Sequence, residues 1–110
     1  MAKLTRAEVL DTAKEYVTKD RASDHGDMED NFKTIATYWS VHLGGVEVLP
    51  HDVGIMMLLL KAARAKSNPK HADNYIDAAG YAACAGELAA EDKEGALYEE
   101  RGVRDDGQEA

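Results

Sequence analysis

Three stretches of the chain gather side chains that could do chemistry. The densest is Asp24-His25-Gly26-Asp27-Met28-Glu29-Asp30-Asn31, with four acids, one imidazole and one amide in eight residues. A glycine there lets backbone approach a ligand that His25 or Asp27 would contact. The plainer reading is a helix start, with a capping side chain and first-turn acids set against the positive end of the dipole. The second stretch, His71 to Tyr81, spaces Asp73 and Asp77 at i, i+4 and Asn74 and Asp77 at i, i+3, so oxygen donors share one face of a helix. Two acids one turn apart repel, so either both face water or a cation sits between them. The third, Lys61-Ala62-Ala63-Arg64, ends a long apolar run. Its cations complement a helix C-terminus, or hold phosphate, with Arg64 bidentate and Lys61 a point charge.

Several familiar catalytic patterns are missing. The sequence has no GxxxxGK[ST], GxGxxG, GxSxG or HExxH, and His25, His42, His51 and His71 do not fall at zinc-ligand spacings.

The elements that must position these groups read as helices, with no sustained alternation of the kind a sheet requires. Thr5-Arg6-Ala7-Glu8 is a capping-box pattern, and Val9, Leu10, Ala13, Tyr16 and Val17 continue one apolar face to about Ala22. Asp27 is placed to cap a second helix in which Phe32, Ile35, Ala36, Trp39 and Leu43 share a face, stopped by Gly44-Gly45. Pro50 and Asp52 open a third that runs to Lys66 before Asn68-Pro69. A fourth spans about His71 to Glu91, and its many alanines and glycines allow close packing. Val46-Glu47-Val48 could be a short extended piece. The sum is an all-α, four-helix antiparallel bundle over residues 1–90. Residues 91–110 carry eight acids against Lys93, Arg101 and Arg104 and read as a helix end followed by a solvated acidic tail.

A chain of 110 residues with net charge −8 makes one small domain. The acidic balance argues against duplex DNA or an anionic membrane as partner. One cysteine, Cys84, cannot close an internal disulfide and suits a reducing cytoplasm; the longest apolar run, Ile55 to Leu60, is too short to span a bilayer. A domain of this size is marginally stable alone, so assembly into a homo-oligomer is expected, with the small residues of the fourth helix as the packing surface.

The segments HGDMEDNFKTIATYW, LPHDVGIMMLLLKAAR and NPKHADNYIDAAGYAACAGE together resemble a family of small phage and prophage proteins of unassigned function, over about residues 20–90. That family more loosely resembles the MazG-like all-α nucleoside triphosphate pyrophosphohydrolases. These are oligomeric helical bundles that hold Mg²⁺ through ExxE and ExxD motifs on successive helices and release a monophosphate and pyrophosphate. The resemblance sets Asn74-Tyr75-Ile76-Asp77 in the place of ExxD, with Asn for Glu and Asp73 beside it. The helix that should bear ExxE offers Asp52 with no second acid three residues on.

Two functions follow as expectations. In the first, a Mg²⁺-dependent nucleotide pyrophosphohydrolase of a phage or prophage, Asp73 and Asp77 are catalytic and Asp27, Asp52, Asp73 and Asp77 bind the metal. In the second, a non-catalytic bundle keeps the nucleotide pocket and sequesters a host immune signalling nucleotide. In either, His25, Lys61 and Arg64 hold phosphates while Asn74, Tyr81 or Trp39 touch the sugar or base. If neither holds, the polar clusters cap helices, and Phe32, Trp39 and Tyr81 are core rings.

Overall fold

The computed structural model describes residues 4–20 and 28–91. His25 and Asp27, the joint before the second helix and the acidic segment after Glu91 lie outside the described residues.

Four α-helices form, and no strand occurs among the described residues: α1 Arg6–Glu15, α2 Met28–His42, α3 Pro50–Ser67 and α4 Ala72–Ala90. The extended piece expected at 46–48 stays without strand partners. Local chemistry explains three of the helix ends. The Glu8 N–H donates to Thr5 Oγ1 at 3.1 Å and the Thr5 N–H donates to Glu8 Oε1 at 3.0 Å, which completes the expected capping box of α1. Gly44 and Gly45 take φ of 78° and 99°, a left-handed conformation that terminates α2 and that other residues adopt only at a cost. Pro50 stands in the first turn of α3, and the Leu49 N–H donates to Asp52 Oδ2 at 2.8 Å.

One correction concerns the first helix. The α-helix ends at Glu15 and gives way to a π-helical turn over Tyr16–Asp20, instead of running on to Ala22. In a π turn the side chains are re-aimed relative to the preceding helical stripe, and such turns concentrate where a site is built. Here it presents Tyr16 and Val17 to the interior.

The centre of the fold is the α3–α4 hairpin, joined by residues 68–71 alone and tied by Tyr75 Oη donating to the Pro69 carbonyl at 2.7 Å. Val53 and Gly54 of α3 and Ile76, Gly80, Cys84, Ala85 and Leu88 of α4 are buried. The helices approach so closely that a Cβ built on Gly54 would lie 2.8 Å from Ala85 Cβ and 3.1 Å from the Tyr81 carbonyl oxygen. Of the small residues of α4, Gly80 and Ala85 serve packing within the chain, while Ala82, Ala83 and Gly86 are exposed. Helix α1 packs on α4 and α2 packs on α3, and these are the main contacts outside the hairpin. Ser40 fastens the connection from α2 to α3: its hydroxyl donates to the Ala36 carbonyl at 2.8 Å and accepts from the Val48 N–H at 2.8 Å.

Candidate functional site

Because α1 rests on α4 and α2 rests on α3, the space between the two outer helices is left open. It forms a cavity of about 490 Å³, within the range of small-molecule pockets. The π turn and three of the helices supply its wall: Tyr16 and Val17 from the π turn, Met28, Asn31, Phe32, Thr34, Ile35 and Trp39 from α2, Val53 and Met57 from α3, and Ile76, Asp77, Gly80, Tyr81 and Cys84 from α4. The wall is chiefly aromatic and aliphatic, with a few polar groups, which is the composition that holds a planar organic ring and orients it at its edges. Gly80 lets the π turn come near, since a Cβ there would meet Val17 Cγ1 at 3.1 Å.

Asp77 is the acid of this wall. Its Oδ2 lies 3.1 Å from Lys61 Nζ, and the two side chains are only 17% and 18% exposed. This ion pair bridges the two helices of the hairpin and is shielded enough to count for more than a surface pair. It also sets one positive and one negative group beside an apolar chamber.

The other sequence-predicted residues fall as follows. Trp39 and Tyr81 line the cavity, half-buried as rings that are both core and wall. Asn74 is buried in the first turn of α4 and is not part of the cavity wall, while Arg64 is exposed on α3 and Asp73 exposed at the start of α4. The Asp52 carboxylate is engaged in the cap of α3, with His51 Nδ1 at 3.7 Å from its Oδ1. Asp52, Asp73 and Asp77 do not form a trio of acids close enough to share an ion among the described residues. The metal set drawn from the sequence is therefore not assembled by its three described members.

A different acidic trio does converge. Carboxylate oxygens of Glu29, Glu87 and Glu91 all lie within 4.8 Å of one another, where the first turn of α2 meets the end of α4. A hydrogen bond with Glu29 holds the Glu91 carboxyl above its ordinary range, with desolvation and the charges of Glu29 and Glu87 adding to the effect. The sign of the linkage is fixed by that direction. A carboxyl whose folded-state pKa is raised favours folding while protonated, and its contribution is lost as pH rises through the folded value. We expect Glu91→Gln to raise the melting temperature slightly at pH 7 and to leave it unchanged in acid below the ordinary carboxylate range. Thermal melts at the two pH values check this, and equal melting temperatures at pH 7 would show the trio to be energetically silent.

The sequence reading missed Asn31, Tyr16 and Met57 as cavity residues and missed the glutamate trio. Glu87 and Glu91, at i, i+4, were the available signal for the latter.

Comparison with known proteins places the chain. The model of a domain of unknown function, DUF6378, matches residues 8–89. The chain belongs to this family. The DUF6378 region contains all four helices but for their extreme ends, and with them every wall of the cavity. Among curated proteins, the "Gene 55 protein" of Mycobacterium phage L5 is 47% identical over 74 residues, covering 67% of this chain and 47% of the phage protein. The "Gene 55 protein" of Mycobacterium phage D29 is 36% identical over 87 residues, covering 79% of this chain and 57% of its own. The chain spans about half the length of these relatives. No solved structure matches. DUF6378 is thus a phage-related family, in accord with the phage resemblance of the three motif segments. No helix among the described residues is long and apolar enough to cross a membrane.

Proposed function

We propose that this DUF6378 domain is a phage nucleotide-binding bundle that holds an intact nucleotide, with the base inside the cavity. The supporting observation is the conjunction of a chamber of about 490 Å³, walled by Phe32, Trp39 and Tyr81, with Asp77 in its wall, paired from behind to Lys61. Aromatic faces accept any base by stacking, a carboxylate accepts hydrogen bonds from ring or exocyclic N–H groups, and an ammonium attracts phosphate. Arg64, one turn beyond Lys61 and exposed, is a second cation for a phosphate tail. A phage could use such a domain in the host cytoplasm to withhold a signalling nucleotide.

The second reading is Mg²⁺-dependent pyrophosphohydrolysis. It is favoured by the spacing of Asn74 and Asp77, one turn apart on α4 as in the ExxD element of MazG-like enzymes. It calls for Asp27, Asp52, Asp73 and Asp77 to draw together, and the engagement of Asp52 in a cap and of Asp77 with Lys61 supports the binding reading over it.

One experiment separates the two. The purified protein is incubated with mixed ribo- and deoxyribonucleoside triphosphates and cyclic dinucleotides plus Mg²⁺. Protein and solution are then separated, and the nucleotides in each fraction are identified by mass spectrometry. The binding reading expects an intact nucleotide released on denaturation, with or without EDTA. Monophosphate in solution that disappears with EDTA would establish the hydrolase instead, and no nucleotide in the protein fraction with no turnover would end both. Cys84 gives an independent readout, because it lines the cavity and is the sole cysteine. Burial, with the charge of Glu87, pushes its thiol up, so it alkylates slowly. A ligand in the chamber should slow it further.

A further inference from the structure

The face of α3 turned away from the hairpin has no cover among the described residues. Val53, on the inner side, is 1% exposed, whereas Ile55, Met56, Leu59 and Leu60 are 38%, 42%, 61% and 42% exposed. No charged residue lies between Asp52 and Lys61, so the eight residues 53–60, about two turns of α3 after its first, are apolar on every side. A helix apolar all round is normally buried all round. Met56, Leu59 and Ala63 follow one another at steps of three and four, the spacing of a seam that packs knobs into holes against another helix. Scattered apolar side chains on a surface call for no explanation, but a continuous stripe of this kind marks a place where another chain packs.

We infer that this face of α3 pairs with α3 of a second copy of the chain, antiparallel, about a two-fold axis at Leu59. Charge selects this occupant. Asp52 and Lys66 stand seven residues to either side of Leu59. A two-fold at that position brings the acidic first turn of each helix against the last turn of the other, where Lys66 lies on the side of Leu59. The antiparallel arrangement also sets the positive end of each helix dipole beside the negative end of its neighbour. The interface is isologous, so the one self-complementary stripe serves both copies and the assembly closes at two. The cavity opens between α1 and α2, and Lys61 sits on the hairpin side of α3, so the pairing leaves the proposed nucleotide site on each copy intact.

The test is the mass in solution, by light scattering on a sizing column, followed by cysteine cross-linking. The wild-type chain is expected at twice 12.0 kDa. Leu59→Lys is expected at the mass of one copy, with its helical circular dichroism retained because the side chain it replaces is mostly in water. Lys66→Glu, a change at an exposed side chain, is expected to shift the balance toward single copies, most at low salt. In a Cys84→Ala background, Leu59→Cys should cross-link under mild oxidation, because the two positions meet at the axis. Ala63→Cys should not, since antiparallel pairing separates its two copies by about 12 Å along the helices, beyond disulfide reach. A wild-type monomer at micromolar concentration, a dimer indifferent to Leu59→Lys, or equal cross-linking at both positions would each overturn the proposal.

Discussion

Gly54→Ala is expected to destabilise the fold by about 2 kcal/mol, although alanine is intrinsically the better helix former by about 1 kcal/mol. The added methyl would come to 2.8 Å from Ala85 Cβ, 3.1 Å from the Tyr81 carbonyl oxygen and 3.2 Å from Ala85 Cα. Two of these three neighbours are backbone atoms, which no rotamer change can move aside. The helices of the hairpin must part, and the contacts that bury Val53 and Leu88 loosen with them. Gly86→Ala is the matched control, because nothing lies within 4 Å of a Cβ there. It should stabilise by up to about 1 kcal/mol, from backbone entropy alone. Denaturant titration of both variants decides the matter: a Gly54→Ala protein as stable as Gly86→Ala would mean that α3 and α4 do not pack at this distance.

The second large effect is expected at the Lys61–Asp77 pair. Asp77→Ala strands an ammonium that is four-fifths shielded from water, and the loss should be about 2 kcal/mol, discounted from the value for a fully buried pair because water reaches part of it. Asp77→Leu with Lys61→Met removes both charges and fills similar volume, so stability should return to within about 1 kcal/mol of the parent. Nucleotide retention should not return, because neither the carboxylate at the cavity wall nor the neighbouring cation remains. The two measurements make different demands on one pair of residues. A double variant that is stable and still retains nucleotide would leave the pair a structural clasp and move the ligand elsewhere.

These residues also show what could be read in advance. The helix starts at Thr5 and Pro50 and the stop at Gly44-Gly45 depend on groups within three or four residues of one another, and the structure reproduces them because such interactions survive in any tertiary setting. The π turn after Glu15 carried no comparable local signal; it re-aims Tyr16 and Val17 toward partners on distant elements. Asp52 illustrates a different difficulty. A carboxylate three residues into a helix has the same sequence signature whether it caps the backbone or awaits a ligand, and here it accepts the Leu49 N–H. Lys61 and Asp77 were each singled out as chemically competent, but their partnership joins residues sixteen apart and emerges only once the hairpin folds. The cavity was the least legible feature. Phe32 and Trp39 stood out as an apolar face, and whether such a face closes on a neighbour or stops short of it depends on how whole helices are stacked.

That stacking also bears on the order in which the chain acquires its structure. The hairpin of α3 and α4 closes a connection of only residues 68–71 and packs closely at Gly54, so its loop-closure entropy is the smallest of any helix pair among the described residues. Contacts between α1 and α4 must close most of the sequence before they return anything. On loop-closure grounds folding is expected to begin in the hairpin and α1 to dock late, and hydrogen exchange of α1 amides faster than those of α3 and α4 would check this. The π turn that follows α1 supplies Tyr16 and Val17 to the cavity wall and would be drawn away with it. A molecule bound there would be held by a door hung on the late-folding end of the protein, and its escape rate would report local opening of α1 while the hairpin stays intact.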